Sequence, residues 1–402
     1  MKIVPEVAAL AQDMKAWRHH LHAHPETAFE EAATAAFVAD KLRGFGLEVH
    51  EGLAKTGVVG VLRCGRGGDA ESRAIGLRAD LDALHIHEKS GATHASKVPG
   101  KMHACGHDGH TAMLLGAAAA LARRKSFDGT AYFVFQPAEE NEGGGRVMVD
   151  EGLFQRFPMR AIYGMHNWPQ KRFGTFAVRA GPLMGAFDIF EIVATGKGAH
   201  AAMAYTGKDP MLFVAHAISA LQTIVSRNLH PLDAGVVSVT QVHGGDTWNV
   251  IPQEVILRGT VRTFKPEVQD TIEQRMRTIV AGVAATFEMT ASVRYERRYP
   301  ATVNDEQETL HAIAAASAVV GAANVETDPV PNMGSEDFAF MLQAKPGCYV
   351  WLGAGREGHD DGGPGLHNPH YDFNDDALAV GASYWVALAE QQLAATAGRK
   401  AA

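Results

Sequence analysis

Two short segments constrain this chain most: His103-Ala-Cys105-Gly-His107-Asp108 and, further along, Pro137-Ala-Glu139-Glu140. A fold that uses both must bring a thiol, imidazoles and two neighbouring carboxylates together. Adjacent glutamates repel each other and are hard to justify in a packed interior unless a cation compensates them. Borderline divalent ions accept sulfur, nitrogen and oxygen ligands together, so the mixture is chemically coherent. One glutamate can ligate an ion while the other stays free as a base. A cysteine nucleophile is the competing use of Cys105. It needs a lowered thiol pKa, and it leaves Glu139 and Glu140 without a role.

The surrounding pattern predicts how these segments are presented. At 402 residues the chain exceeds one ordinary core, so two domains are expected. Helices are predicted over 30–43 and 110–123, with Cys105 and His107 in a loop just before the second. Residues 57–62, 74–77, 131–135 and 161–165 have strand character. The last two deliver Glu139-Glu140 and His166 at strand ends, where open α/β sheets gather ligands. Pro169 is expected to break the strand that carries His166. After Gly181-Pro182 the character changes: 187–195, 209–227, 236–243, 255–263, 266–287 and 292–295 read as strand, helix, strand, strand, helix, strand. An α+β insert over 185–296 is therefore expected, dividing an α/β domain into 1–184 and 297–402. A helix over 375–395 closes the chain.

Asp80 and Asp82 follow a strand and are placed to hold metal-bound histidines in orientation. His166 and His367, the latter in a loop, are candidates from elsewhere in the chain. The tract His19, His20, His22 and His24 reads as a helix end, exposed or supporting rather than ligating.

A net charge of -8 and the lack of a basic stripe argue against a nucleic-acid partner. Three cysteines without a disulfide spacing, no apparent signal peptide and no membrane-length apolar run lead to the expectation of a cytoplasmic protein.

Gln136-Pro-Ala-Glu-Glu140, Gly164-Met-His-Asn167, Gly198-Ala-His200 and Leu366-His-Asn-Pro369, taken with the first motif, resemble those of the bacterial hippurate hydrolases. Plant hydrolases of indole-acetyl amino acids belong to the same branch of the aminoacylase and carboxypeptidase-G-like dimetal amidohydrolases. Arg18–Glu26, Leu77–Ala83, Asn249–Pro252 and Met333–Phe338 match as well, so the resemblance runs from residue 15 to residue 390.

The resemblance implies a metallopeptidase-like catalytic domain, with a central mixed β-sheet flanked by helices, and an inserted lid and dimerisation domain. It implies two divalent ions per subunit, zinc, manganese, cobalt or nickel. Cys105 would bridge them, Glu140 and His367 completing one shell and His107 and His166 the other. Glu139 would be the general base for water activated between the ions. His200 would reach from the lid to a partner subunit's site, in a homodimer or homotetramer, with Asn249 and Arg262 as substrate-holding candidates. The implied substrate is a small N-acyl amino acid, split into a carboxylate and a free amino acid. Deacetylation of an acetylated diamino acid, dipeptide cleavage or non-catalytic metal binding are the alternatives. One departure stands out: the family often has a proline–histidine pair after the lid histidine, where this chain has Ala204-Tyr205.

Overall fold

Runs of β-branched and aromatic residues build a mixed sheet of eight strands in the computed structural model, which describes residues 1–65, 70–356 and 363–394. In chain order the strands are β1 (Glu48–Leu53), β2 (Gly57–Cys64), β3 (Ala74–Asp80), β4 (Gly129–Gln136), β5 (Ala161–Arg172), β6 (Phe176–Ala177), β7 (Val325–Glu326) and β8 (Gly347–Gly355). Their spatial order is β1-β2-β4-β3-β5-β8-β6-β7. β3 runs parallel to β4 and β5, and β5 to β8, while β1, β2 and β6 bring in antiparallel pairs. β3 and β4 are buried along their whole length, as central strands covered on both faces should be.

Helix His107–Arg124 is buried through its first fifteen residues, His107 to Leu121. Its alanines and glycines allow close packing against helices Ala11–Ala23 and Ala377–Gln392. Arg123 and Arg124 occupy its last turn, where the helix dipole favours cations. The chain forms two compact units by its internal contacts. The first comprises Met1–Leu183, Val303–Val330 and Asp337–Ala402, and holds the large sheet.

The second comprises Met184–Thr302 and Pro331–Glu336. Strands Ala186–Thr195, Gly235–His243, Glu254–Thr263 and Thr290–Tyr299 form its antiparallel sheet. Strict alternation of burial along Ala186–Thr195 shows that one face is packed and the other open. Helices Pro210–Thr223 and Pro266–Thr286 supply the packing. Asp209 caps the first, its carboxylate accepting the Met211 N–H at 2.9 Å, with Pro210 at the first helical position.

Two local expectations are corrected. β5 does not stop after Met165 but runs through His166 and Pro169 to Arg172. Pro169 is tolerated because it falls at a register irregularity, between the pairs Gly353–Trp168 and Gly355–Arg172. The helix predicted from His110 starts at His107, which is therefore its first residue and not part of a loop. All three cysteines are free and buried, and no described helix is long and apolar enough to cross a membrane.

Candidate metal centre

The parallel register brings the motifs to one edge of the large sheet. Asp80 pairs with Gln136 and Arg78 with Gly164, so the segments leading to Asp82, Glu139 and His166 emerge at the same level. Gly106 turns the chain between Cys105 and His107 with φ +93°. A Cβ there would sit 2.3 Å from Asn167 Oδ1 and 2.9 Å from the Tyr371 hydroxyl, so only glycine fits. The loop carrying His367 is tied in by its backbone N–H, which donates to Ala104 O at 2.8 Å.

Hydrogen bonds fix the tautomers of two histidines. A carbonyl can only accept, so His107 donates from Nδ1 to Asp82 O at 2.8 Å and His166 from Nδ1 to Asn167 O at 2.7 Å. In the neutral ring each Nε2 then keeps a lone pair. That of His166 lies 3.3 Å from Cys105 Sγ, and that of His107 is buried without a hydrogen-bond partner. Glu140 Oε1 is likewise buried and forms no hydrogen bond, although His367 Nε2 is 3.0 Å away. Buried acceptors left open in this way fit a cation.

The structure brings all five sequence candidates together in two overlapping groups. Cys105, His107 and His166 form one, and Cys105, Glu140 and His367 the other, with the ligand atoms of each within 4.8 Å of one another. Cys105 is common to both. Glu139 forms a further group with His107 and Glu140. The Asp337 N–H approaches Glu139 Oε1 at 3.4 Å. Two other clusters are unsuited to an ion. In Asp80–His107–His110, both His110 nitrogens are engaged, by Asp80 and Asn167 at 2.6 Å each. In His22–His94–Asp372 the place of a cation is taken by the Arg18 guanidinium, 2.8 Å from Asp372 and 2.7 Å from His94.

Electrostatics agrees with a cation-dependent site. Burial, followed by the nearby Glu140, Glu139 and Asp80, pushes the Cys105 thiol well above its ordinary range. A lone cysteine nucleophile needs the opposite shift. Burial disfavours the charged form of His107, yet Asp80, Asp82 and Glu140 outweigh it and lift the ring to about 10. His166 moves well below its ordinary value through burial and the neighbouring His110. Donor set, open lone pairs and excess negative charge together fit divalent metal.

The supporting aspartates divide their work. Asp80 holds His110 and receives Arg78 Nη1 at 2.7 Å. Asp82 offers its carbonyl to His107, while its carboxylate accepts the N–H groups of Glu139 and Glu140. His200, Asn249 and Arg262 belong to the second unit. There His200 lies on a two-stranded ribbon opposite Val250, and Ala201 N–H donates to Asn249 O at 2.9 Å. His200 Nδ1 accepts the Ala202 N–H at 3.1 Å, which puts the ring proton of the neutral form on Nε2. Arg262 donates to Ser335 Oγ at 3.0 Å and lies over the Phe187 ring at 4.2 Å. Tyr205, of the departing pair, is exposed.

Sequence reasoning missed much of the supporting network. His22 is fully buried, hydrogen-bonded to Asp108 at 2.8 Å and Glu88 at 3.2 Å, while His20 and His24 are exposed. Arg78 spans Asp80 and Asp337, the latter also held by Gln136 Nε2 at 2.7 Å and Gly145 N–H at 2.7 Å. The one available signal was charge inside strongly apolar strand patterns, as at Arg78 in Leu77-Arg-Ala-Asp80.

Known proteins are similar to this chain over nearly its whole length. The chain is 40% identical over 382 residues to an N-acetyl-L-cysteine deacetylase of Bacillus subtilis, covering 94% of this chain and 88% of that protein. It is 38% identical over 393 residues to the hippurate hydrolase of Campylobacter jejuni, covering 98% and 100%. The crystal structure of the Bacillus subtilis YXEP protein, a dinuclear metal binding peptidase from the M20 family, superposes with a TM-score of 0.82 at 35% identity. That match covers 96% of this chain and 99% of the other. Residues 76–391 match the model of peptidase family M20/M25/M40, and the chain belongs to that family.

Proposed function

We propose that this protein is a metal-dependent amidohydrolase that splits N-acyl amino acids into a carboxylate and a free amino acid. The observation that carries the proposal is Cys105, common to two groups of candidate ligands, with the carboxylate of Glu139 beside them. The relatives named above as a deacetylase and a hippurate hydrolase act on substrates of this kind. Cys105, His107 and His166 would hold one ion, and Cys105, Glu140 and His367 a second. The thiolate favours zinc, while the imidazole and carboxylate ligands also suit manganese, cobalt or nickel. Two such ions supply Lewis-acid polarisation of the amide carbonyl and a water acidic enough to ionise near neutral pH.

The chain's own groups then direct the reaction. Glu139 takes the proton of the attacking water and returns it to the departing nitrogen, a role worth about 10²–10⁴-fold. His200, delivered by the lid of a second subunit, donates Nε2–H to the developing oxyanion. Its Nδ1 hydrogen bond to Ala202 N–H supports this, since it leaves the proton on the outward nitrogen. Arg262 and Asn249 hold the substrate carboxylate. The exposed Met203, Tyr205, Leu212, Trp248 and Val250, all in the second unit, support self-association into a homodimer or homotetramer through it.

The test is release of free amino acid from a panel of N-acyl amino acids, hippurate included. Metal-loaded protein is compared with a chelator-stripped sample to which Zn²⁺ or Mn²⁺ is returned. Metal-dependent release is expected, and no release from any member with ions bound would refute the proposal.

A further inference from the structure

Beside Glu140 the first unit contains a cleft of about 610 Å³, whose walls include Phe29, Lys55, Leu84, Ile86 and Asn141. Its size is that of small-molecule sites. Phe29, Lys55 and Asn141 have φ values of 60°, 68° and 69°, in the left-handed region that side chains avoid. Ala54 (φ 50°) adjoins Lys55, and Ala138 (φ 54°) lies in the Pro137–Glu140 turn. Left-handed non-glycine residues are therefore concentrated around this one cleft.

Phe29 is the most telling. Glu30 N–H donates to Thr27 O at 2.8 Å, closing a turn with Phe29 in its third position. A positive φ there belongs to glycine. A bulky aromatic held in such a conformation points to a use for the ring itself. Lys55 Nζ lies 4.5 Å from the centre of that ring and braces it. Buried Glu31 binds the walls into one body, accepting from Ala138 N–H at 2.9 Å and from Thr56 Oγ1 at 2.7 Å.

Phe29, Leu84 and Ile86 give the cleft apolar walls, and Glu30, which also lines it, is paired with Lys101 at 2.6 Å. We infer that this cleft is the acyl subsite and that it takes a bulky apolar acyl group, aryl or medium-chain, against the Phe29 ring. The inference rests on the amidohydrolase proposal above for the identity of the ligand.

Binding of benzoate and acetate to metal-loaded protein, measured by calorimetry, tests it without turnover. The wild type should bind benzoate at least about 10-fold more tightly than acetate, the scale on which apolar pockets discriminate. Phe29→Gly suits the turn and should melt no lower than the wild type, yet lose most of that preference. Ile86→Trp, which fills the cleft, should lose it too. The preference for N-benzoylglycine over N-acetylglycine in kcat/KM should fall in parallel. Equal binding of the two acids by the wild type, or an unchanged preference in both variants, would overturn the subsite. If benzoate binds through Phe29 but no N-acyl amino acid is hydrolysed, the subsite stands and the amidohydrolase proposal fails.

Discussion

Asp82 Oδ1 accepts the backbone N–H of Glu139 at 3.0 Å, and its other oxygen takes that of Glu140 at 2.9 Å. One buried carboxylate thus sets the direction of both the proposed base and a proposed metal ligand, while its carbonyl orients His107. Asp82→Ala should lower metal affinity about 10–100-fold, as loss of such orienting partners does. Metal content after dialysis checks it, and unchanged occupancy would remove Asp82 from this role.

His200 is proposed to act on the oxyanion and not on the ions. His200→Ala should therefore keep its metal while kcat falls about 10²–10³-fold. Turnover equal to the wild type on the same substrate would exclude it.

Arg78 lies fully buried between Asp80 and Asp337, at 2.7 Å and 3.2 Å. Replacing it with an apolar residue removes the cation that two buried carboxylates share, which costs about 3–5 kcal/mol. Arg78→Met should show that loss in denaturant unfolding. An unchanged midpoint would mean that the network contributes little.

His22 gives stability a pH dependence. Burial opposes its charge, but Asp108 and Glu88 hold the folded ring at about 9, above the ordinary 6.5. Below pH 6.5 both folded and unfolded chains carry the proton, and the contribution is complete. Between 6.5 and 9 the unfolded state binds fewer protons, so stability falls as pH rises, by on the order of 3 kcal/mol in total. Unfolding free energies should decline over that window in the wild type and more gently in His22→Asn. Parallel profiles would contradict the assignment.

The chemistry of the site was more legible in the sequence than its scaffolding. Cysteine, histidine and adjacent glutamates at strand ends have few uses that suit them all, so Cys105, His107, Glu139 and Glu140 could be singled out from type and position alone. Alternation of helix and strand marked the sheet, but Pro169 misled because a local bulge spares the ladder the N–H it lacks. The start of the helix at His107 was hidden because a left-handed glycine such as Gly106 more often ends a helix than precedes one. Partnerships such as Arg18 with Asp372 join residues far apart in sequence, and no local periodicity encodes them. The cap of Asp82 on Glu139 depends on backbone directions that only the folded turn defines.

Metal content and turnover measured on the same preparations of wild type and Glu139→Gln test the central claim most directly. The arrangement around Cys105 predicts two ions per chain in both, with kcat in the variant lower by about 10²–10⁴-fold. Near-normal turnover in a Glu139→Gln preparation that holds its two ions would contradict it.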